Sequence, residues 1–442
     1  MNHRPGRYRW RTAFAWLAIL FLVASLPIGI ALADAPPRRG FWLDLSAGLG
    51  LLGLGLLVVQ ALTSGRQNWV APDFGADNLL HFHRRLGLLA SLLILAHPIV
   101  MFTADPSYLR VLDPRDGWMA AAVLWTLVGS LFAILVSSFW RKALGLSYEL
   151  WRLLHGGLAL LIMALAVGHA LAADHSLHAV PQRIALIVWM GLAIALIVNT
   201  RLYRPWSNRH RPWQVESVKP ERGDAWTLTL RPIGHDGLRF EPGQYAWFTL
   251  ADSPFAMQQH PFSLAGTARS AHLSFTAAVV GDFTAALAKV KPGARAWVEG
   301  PMGSFIPDPD RSIPLFMVAG GIGITPMMSM LRTFHAQGSR RKVDLVYANN
   351  ELGDVTFLEE LEILEQELNL RVIHVLREPP AGWPGESGLV DENLLDRCLP
   401  PPGQPTQYMV CGPEPLMDTV EAALRDRGVD WRRVYSERFE VI

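Results

Sequence analysis

Six stretches of the chain are apolar for long enough to cross a bilayer, which takes about 20 helical residues. They run over residues 14–33, 41–62, 79–102, 118–139, 150–173 and 184–200, with polar residues gathered between them. That pattern predicts a six-helix transmembrane bundle over residues 1–205. From about Arg211 the texture changes. Short β-type segments at 214–219, 225–231 and 245–250, broken by Pro and Gly, predict a small antiparallel β-barrel over 211–310. From Ser312 it changes again, to buried strands at 315–319, 343–348 and 371–376 alternating with helices after Thr325 and near 357–367. Such alternation predicts a parallel-sheet α/β domain over 312–442.

Composition sharpens this division. The 442 residues carry 40 Lys+Arg against 39 Asp+Glu, a near balance that conceals an asymmetry. Residues 1–205 hold 17 basic against 9 acidic groups, and the remainder holds 23 against 30. Basic residues set membrane orientation. One set of span flanks holds Arg4, Arg7, Arg9, Arg11, Arg66, Arg84, Arg85, Arg141, Lys142, Arg152, Arg201, Arg204, Arg209 and Arg211; the other holds Arg38, Arg39, Arg110, Arg115 and Arg183. The first set is therefore expected on the cytoplasmic side of the cell (inner) membrane, with the N-terminus and everything after the sixth span. Ala31-Leu32-Ala33 before Asp34 offers a rival reading of the first span as a cleavable leader. Half the chain being apolar excludes disorder. Two cysteines, Cys398 and Cys411, exclude a disulfide framework. Basic charge dispersed among apolar spans argues against a nucleic-acid partner.

Ionisable groups inside spans are costly and mark function. Span three carries His81, His83 and His97, and span five carries His155 and His169. Fourteen residues separate His83 from His97, and fourteen separate His155 from His169. At 3.6 residues per turn that interval returns to within about 40° of one face and rises about 21 Å. The spans run in the same direction, so His83 can face His155 and His97 can face His169. Such pairs suit the axial ligation of two stacked haems. Gly87, Gly156, Gly157 and Gly168 would leave room for flat macrocycles. Interhelical hydrogen bonding and a proton relay are the alternatives. In the second span, Gly48-Leu49-Gly50-Leu51-Leu52-Gly53 matches the dinucleotide pattern G-x-G-x-x-G. It lies inside an apolar run without a preceding strand, so close helix packing is the better reading.

The soluble half carries motifs in a telling order. Glu241-Pro242-Gly243-Gln244-Tyr245 precedes His260-Pro261-Phe262-Ser263-Leu264; Gly281-Asp282-Phe283-Thr284 and Gly300-Pro301-Met302-Gly303 follow. Strand 315–319 runs into Gly320-Gly321-Ile322-Gly323-Ile324-Thr325-Pro326 and a helix, a turn that presents bare N–H groups to a pyrophosphate. Near the end stand Met409-Val410-Cys411-Gly412-Pro413 and Ser436-Glu437-Arg438-Phe439.

On these motifs the soluble half resembles the ferredoxin–NADP reductase superfamily, and the whole chain resembles the ferric reductase and NADPH oxidase family. The resemblance implies two b-type haems on His83/His155 and His97/His169, and an FAD-binding barrel followed by an NAD(P)-binding α/β domain. It implies that Phe262 packs by the isoalloxazine, Ser263 hydrogen-bonds its reactive edge, and His260 and Pro261 lie towards the FAD phosphates. Gly281, Asp282, Phe283 and Thr284 resemble the segment capping the FAD pyrophosphate. Gly320, Gly321, Gly323, Thr325 and Pro326 resemble the pyridine-nucleotide loop, Cys411, Gly412 and Pro413 the strip beside the nicotinamide, and Phe439 the terminal aromatic over the flavin. Ser263, Cys411 and Phe439 are the implied catalytic residues. One departure concerns the donor: Asn349-Asn350 follow strand 343–348 where NADPH-preferring relatives often place an Arg, so NADH or dual use is expected, with Arg377 as a substitute partner.

The expected activity is a membrane-embedded NAD(P)H oxidoreductase passing electrons across the bilayer to a ferric chelate or to O2. Arg84, Arg85 and Arg152 are candidates for haem propionates, and His175 and His178 for the acceptor side. A conduit feeding a periplasmic protein acceptor, or a transporter or proton channel with a regulatory nucleotide domain, are the alternative readings.

Overall fold

A computed structural model describes residues 9–34, 37–64, 76–173, 175–401 and 403–438. The chain divides into two compact units, residues 13–70 with 78–204, and residues 205–442 with 1–12 and 71–77. Six helices of the first unit are long and apolar enough to cross a membrane. They are α1 (Arg9–Leu32), α2 (Phe41–Leu62), α3 (Ala76–Ala104), α4 (Pro114–Phe139), α5 (Tyr148–Ala172) and α6 (Val180–Val198). In hydrocarbon every backbone polar group must be satisfied within the segment, which a helix achieves. Large apolar side chains accordingly face outward: Phe21 is 70% exposed and Phe132 68%.

Helix α2 is the hub. Half of its spanning window is buried inside the protein, against 6% for α3 and 11% for α5. Small residues make that possible. A Cβ at Gly55 would overlap the Ala24 carbonyl of α1, and one at Gly53 would come within 2.6 Å of Ile94 in α3. The dinucleotide-like run of the second span thus lies inside α2 as a helix-packing surface. At the other face of the bundle, Gln182 of α6 is 4% exposed and donates to the carbonyls of Ile30, Ala31 and Asp34 at 3.1–3.2 Å. The amide satisfies carbonyls that the end of α1 leaves without helical partners.

In the second unit an antiparallel sheet forms first: β1 (Trp213–Glu221), β2 (Ala225–Pro232), β3 (Tyr245–Leu250), β4 (His260–Ser263), β5 (Leu273–Ala278) and β6 (Arg295–Met302). Its order is β4-β3-β6-β1-β2-β5, and it curls until its two edges meet at the Leu264–Phe275 bridge. A short helix, α7 (Asp282–Ala286), follows β5. The interior is filled by Trp213, Leu228, Leu230, Phe248 and Phe275 among others.

The parallel sheet follows: β7 (Leu315–Gly320), β8 (Val343–Asn349), β9 (Leu370–Leu376), β10 (Glu386–Ser387), β11 (Gln407–Gly412) and β12 (Val434–Arg438), in the order β10-β9-β8-β7-β11-β12. Helices α8 (Thr325–Ala336), α9 (Leu358–Glu367), α10 (Glu392–Cys398) and α11 (Glu414–Asp426) cover it. Both faces are packed, which is why β7 reads as an unbroken apolar run, buried at all six positions. The order reverses between β7 and β8 on one side and β11 on the other, and ligands of such sheets bind at the carboxyl ends beside that reversal. Helix α9 begins at Leu358, one residue inside the expected span, because Phe357 takes a left-handed φ of 64° and stands outside the helix.

Candidate functional site

Within the membrane unit, α3 and α5 bring the four histidines into two pairs. The ring centres of His83 and His155 are 6.3 Å apart, and those of His97 and His169 are 6.2 Å apart. Two imidazoles sharing one metal ion would stand at about this separation, given about 2 Å per metal–nitrogen bond and about 1.2 Å from nitrogen to ring centre. Each α3 ring is anchored on α2. His97 Nδ1 lies 2.7 Å from the Ser46 carbonyl, and His83 Nδ1 lies 3.2 Å from the Gln60 carbonyl. A nitrogen facing a carbonyl must carry the proton, so Nε2 holds the lone pair that a metal needs. His155 Nδ1 lies 3.2 Å from the Ser138 hydroxyl. At Gly156, Gly157 and Gly168 a Cβ would meet nothing within 4 Å, whereas at Gly87 it would lie 3.7 Å from the Gln60 side chain. The residues present fit two haems. His81 is exposed, off this face, as its spacing requires.

Sequence reasoning missed the α2 anchors. Fourteen residues separate Ser46 from Gln60, the same interval as in each histidine pair, and that repeat was the available signal. Trp151 was also missed: its ring is 5.2 Å from His155, and Arg141 lies over it at 5.9 Å. Beyond α5, His178 pairs with Asp34 at 3.0 Å, and the buried His175 Nε2 has no hydrogen-bond partner among the described residues. Burial, then Arg39, holds the His175 ring below its ordinary pKa. Among the described residues no three His, Cys, Asp or Glu side chains converge as a metal site.

In the second unit, β4 lies against β3 with Ser263 opposite Tyr245 and Phe262 opposite Ala246. Ser263 is 4% exposed, and its Oγ has no hydrogen-bond partner among the described residues. A buried hydroxyl left so costs free energy unless a ligand completes it. His260 stacks on Phe283 with centres 3.9 Å apart, and Phe262 lies nearly parallel to Phe283 at 6.1 Å. The motif of β4 and the Gly281–Thr284 turn therefore share one aromatic surface beside Pro261. Thr284 Oγ1 accepts from the Val280 and Gly281 N–H groups and folds that turn, with Asp282 opening α7.

The carboxyl ends of β7 and β11 form the next cluster. A Cβ at Gly323 would overlap the Cys411 carbonyl; one at Gly320 would lie 2.7 Å from Pro413 Cδ, and one at Gly412 2.9 Å from the Gly320 nitrogen. These glycines exist because two loops press together. Gly321 differs: its φ is +51° and the space over it is open, so it bares backbone at the start of α8, where Thr325 and Pro326 open the helix. Helix N-termini of this kind receive phosphate. Cys411 is fully buried. Strand β12 pairs with β11 through Gly412 and Arg438, and Arg438 donates to Asp418 and Glu421 of α11 at 2.7 and 3.0 Å. Phe439 lies outside the described residues. Asn349 and Asn350 close β8, and the backbone N–H groups of Arg377 and Glu378 donate to their carbonyls at 3.0 and 2.8 Å.

Helix α8 links the two clusters. Ser329 Oγ donates to the Gly266 carbonyl at 2.8 Å and Arg332 to the Ala265 carbonyl at 2.7 Å, three and two residues past the end of β4. Arg332 also forks onto Glu360 of α9 at 2.6–2.7 Å and lies over the Phe357 ring.

Comparison with known proteins agrees with both halves. Residues 49–166 match the family described as ferric reductase like transmembrane component, and residues 317–422 match the oxidoreductase NAD-binding domain. NADH-cytochrome b5 reductase 1 of Aspergillus oryzae is 32% identical over 164 residues, 36% of this chain and 56% of that protein. The Pyricularia oryzae protein of the same name is 33% identical over 161 residues, 36% of this chain and 52% of its own length. The chain thus spans about half the length of the curated relatives it matches. Among solved structures, the FAD/NAD-binding domain of a Vibrio cholerae nitric oxide dioxygenase covers 52% of this chain and 98% of its own, at 24% identity and a TM-score of 0.46. With residues 49–166 similar to a ferric reductase-like transmembrane component and residues 317–422 to an NAD-binding oxidoreductase domain, the chain combines the two parts of a ferric reductase and NADPH oxidase type of fusion.

Proposed function

We propose that the chain is a transmembrane oxidoreductase that takes reducing equivalents from NADH or NADPH and delivers them to an acceptor on the other side of the membrane, a ferric chelate or dioxygen. The twin histidine pairs on α3 and α5 carry this reading, because a transporter or relay has no need of two matched pairs at metal-sharing separation. The proposal divides the chain at 1–205, 211–310 and 312–442, with the last two parts and the N-terminus cytoplasmic, as the basic flanks require.

When bound, FAD would accept a hydride from the nicotinamide and two b-type haems would carry single electrons. His83 with His155, and His97 with His169, would hold the two haem irons through their ring nitrogens. Ser263 would donate its unpaired hydroxyl to the flavin edge, Phe262 and Phe283 would wall the ring, and His260 with the Gly281–Thr284 turn would face the phosphates. Gly321 and the start of α8 would receive the dinucleotide pyrophosphate. Cys411, buried at the end of β11, would border the nicotinamide while Gly412 and Pro413 keep the backbone close, and Phe439 would cover the flavin when no nucleotide is present. Asn349 and Asn350 put neutral amides where a 2′-phosphate would need a cation, so NADH is the favoured donor; the NADH-named relatives support this.

The test is an absorption spectrum of the purified full chain under anaerobic NADH, then NADPH, followed by air or ferric citrate. Haem bands that reduce faster with NADH and reoxidise with either acceptor support the proposal. Absence of a Soret band after haem-replete expression defeats it.

A further inference from the structure

The two histidine pairs are alike in spacing but differently supported. His83 Nδ1 has a carbonyl contact at 3.2 Å and the Thr63 hydroxyl at 3.5 Å. His97 Nδ1 has the Ser46 carbonyl at 2.7 Å and the Ser46 hydroxyl at 3.0 Å, and that hydroxyl also donates to the His97 carbonyl at 2.8 Å. Ser46 is fully buried, so water does not compete for these contacts. Four residues further along α2 stands Gly50. A Cβ there would lie 3.1 Å from His97 Nδ1, 3.2 Å from Cγ and 3.4 Å from Cε1, tight enough to push the ring away. The glycine opens the helix surface, and the serine one turn away grips the imidazole that enters.

We propose that Ser46 and Gly50 of α2 are positioning residues for His97, fixing its ring in the tautomer with Nε2 bare and lowering the reduction potential of the haem bound between His97 and His169. The inference rests on the reading of these histidines as haem ligands. A proton donated from Nδ1 to a short carbonyl contact builds negative charge on the ring and makes Nε2 a stronger donor. A stronger donor stabilises ferric iron more than ferrous iron, so the potential falls. The longer contact at His83 exerts less of this pull, so α2 sets two chemically similar sites apart.

The experiment is an optical redox titration of the purified, haem-loaded full chain, with low-spin ferric EPR on the same samples. His169→Leu identifies which of the two haem waves belongs to this pair, because that wave disappears. Gly50→Ala pushes the ring off the Ser46 carbonyl and Ser46→Ala removes the hydroxyl that clamps the ring against it, so each is expected to move that wave to higher potential and alter one of the two EPR signals. The other wave stays in place, and Ser46→Thr, which keeps the hydroxyl, returns the midpoint towards wild type. Should Gly50→Ala fail to assemble, Ser46→Ala decides alone. Two intact haems with unmoved waves, or equal shifts in both, overturn this inference and leave the haem reading standing. A wild-type chain that takes up no haem overturns the ligand reading and this inference with it.

Discussion

His97 and His169 face each other across α3 and α5 with ring centres 6.2 Å apart and planes inclined by 64°. On the haem reading, each member of the pair would supply one nitrogen to the iron, so neither would hold the group alone. His169→Leu is expected to cut haem content from two per chain to one, read as haem-to-protein ratio, while His83 and His155 keep theirs. Loss of both haems, or of neither, would contradict independent sites.

Ser263 offers a buried hydroxyl without a hydrogen-bond partner among the described residues. Hydrogen bonds to charged or charge-developing groups are worth about 1.5–3 kcal/mol. Ser263→Ala should therefore slow flavin reduction by about 10- to 100-fold. Stopped-flow absorbance at the flavin band would measure this, and retained FAD would separate it from simple loss of the cofactor.

Gly323 and Gly321 sit two residues apart and predict opposite outcomes. A Cβ at Gly323 would overlap the Cys411 carbonyl, so Gly323→Ala must spread β11 from the loop after β7, at a cost of about 2–3 kcal/mol. Gly321→Ala meets open space and carries only the strain of φ +51°, about 1 kcal/mol. Thermal denaturation of the two variants, with KM for NADH alongside, should show the first losing stability and the second chiefly raising KM.

Burial holds His374 below its ordinary pKa of 6.5, with Glu365 and Glu362 opposing in part. The folded protein therefore favours the neutral ring, while the unfolded chain takes up its proton at higher pH. Stability from this group is full above about pH 6.5 and declines as pH falls from there towards the lowered folded value. His374→Phe should flatten that part of the profile, measured as melting temperature between pH 7.5 and 5.5. An unchanged slope would assign the acid sensitivity elsewhere.

The elements that a sequence displays best are those with one dominant constraint. The second span was legible to the residue, Phe41 to Leu62, because the bilayer demands an unbroken apolar run. The histidine pairing was legible because period and direction together fix which rings meet. The α2 anchors were harder to see, since both hold their rings through backbone carbonyls, and only the fourteen-residue interval from Ser46 to Gln60 marks them in the sequence. The glycines of the loop after β7 were legible as a tight turn into a helix, but their division of labour was not. Only the approach of β11 shows that Gly320 and Gly323 are crowded while the space over Gly321 is open. Arg332 was likewise hidden, because its partners Ala265 and Glu360 are 67 and 28 residues away.

Helix α8 starts at the glycine loop and, within its length, is bonded to Ala265 and Gly266 through Arg332 and Ser329, and to Ala268 through Thr333. A helix is stiff over so few turns, so it behaves as a gauge block between the place where a nucleotide would enter and the strand edge where a flavin would lie. Asn349, at the end of β8, is not among the partners of that block, so on the proposed reading a change there that retunes nucleotide binding leaves the block in place. Donor preference can then drift from one pyridine nucleotide to the other without resetting the spacing on which hydride transfer depends.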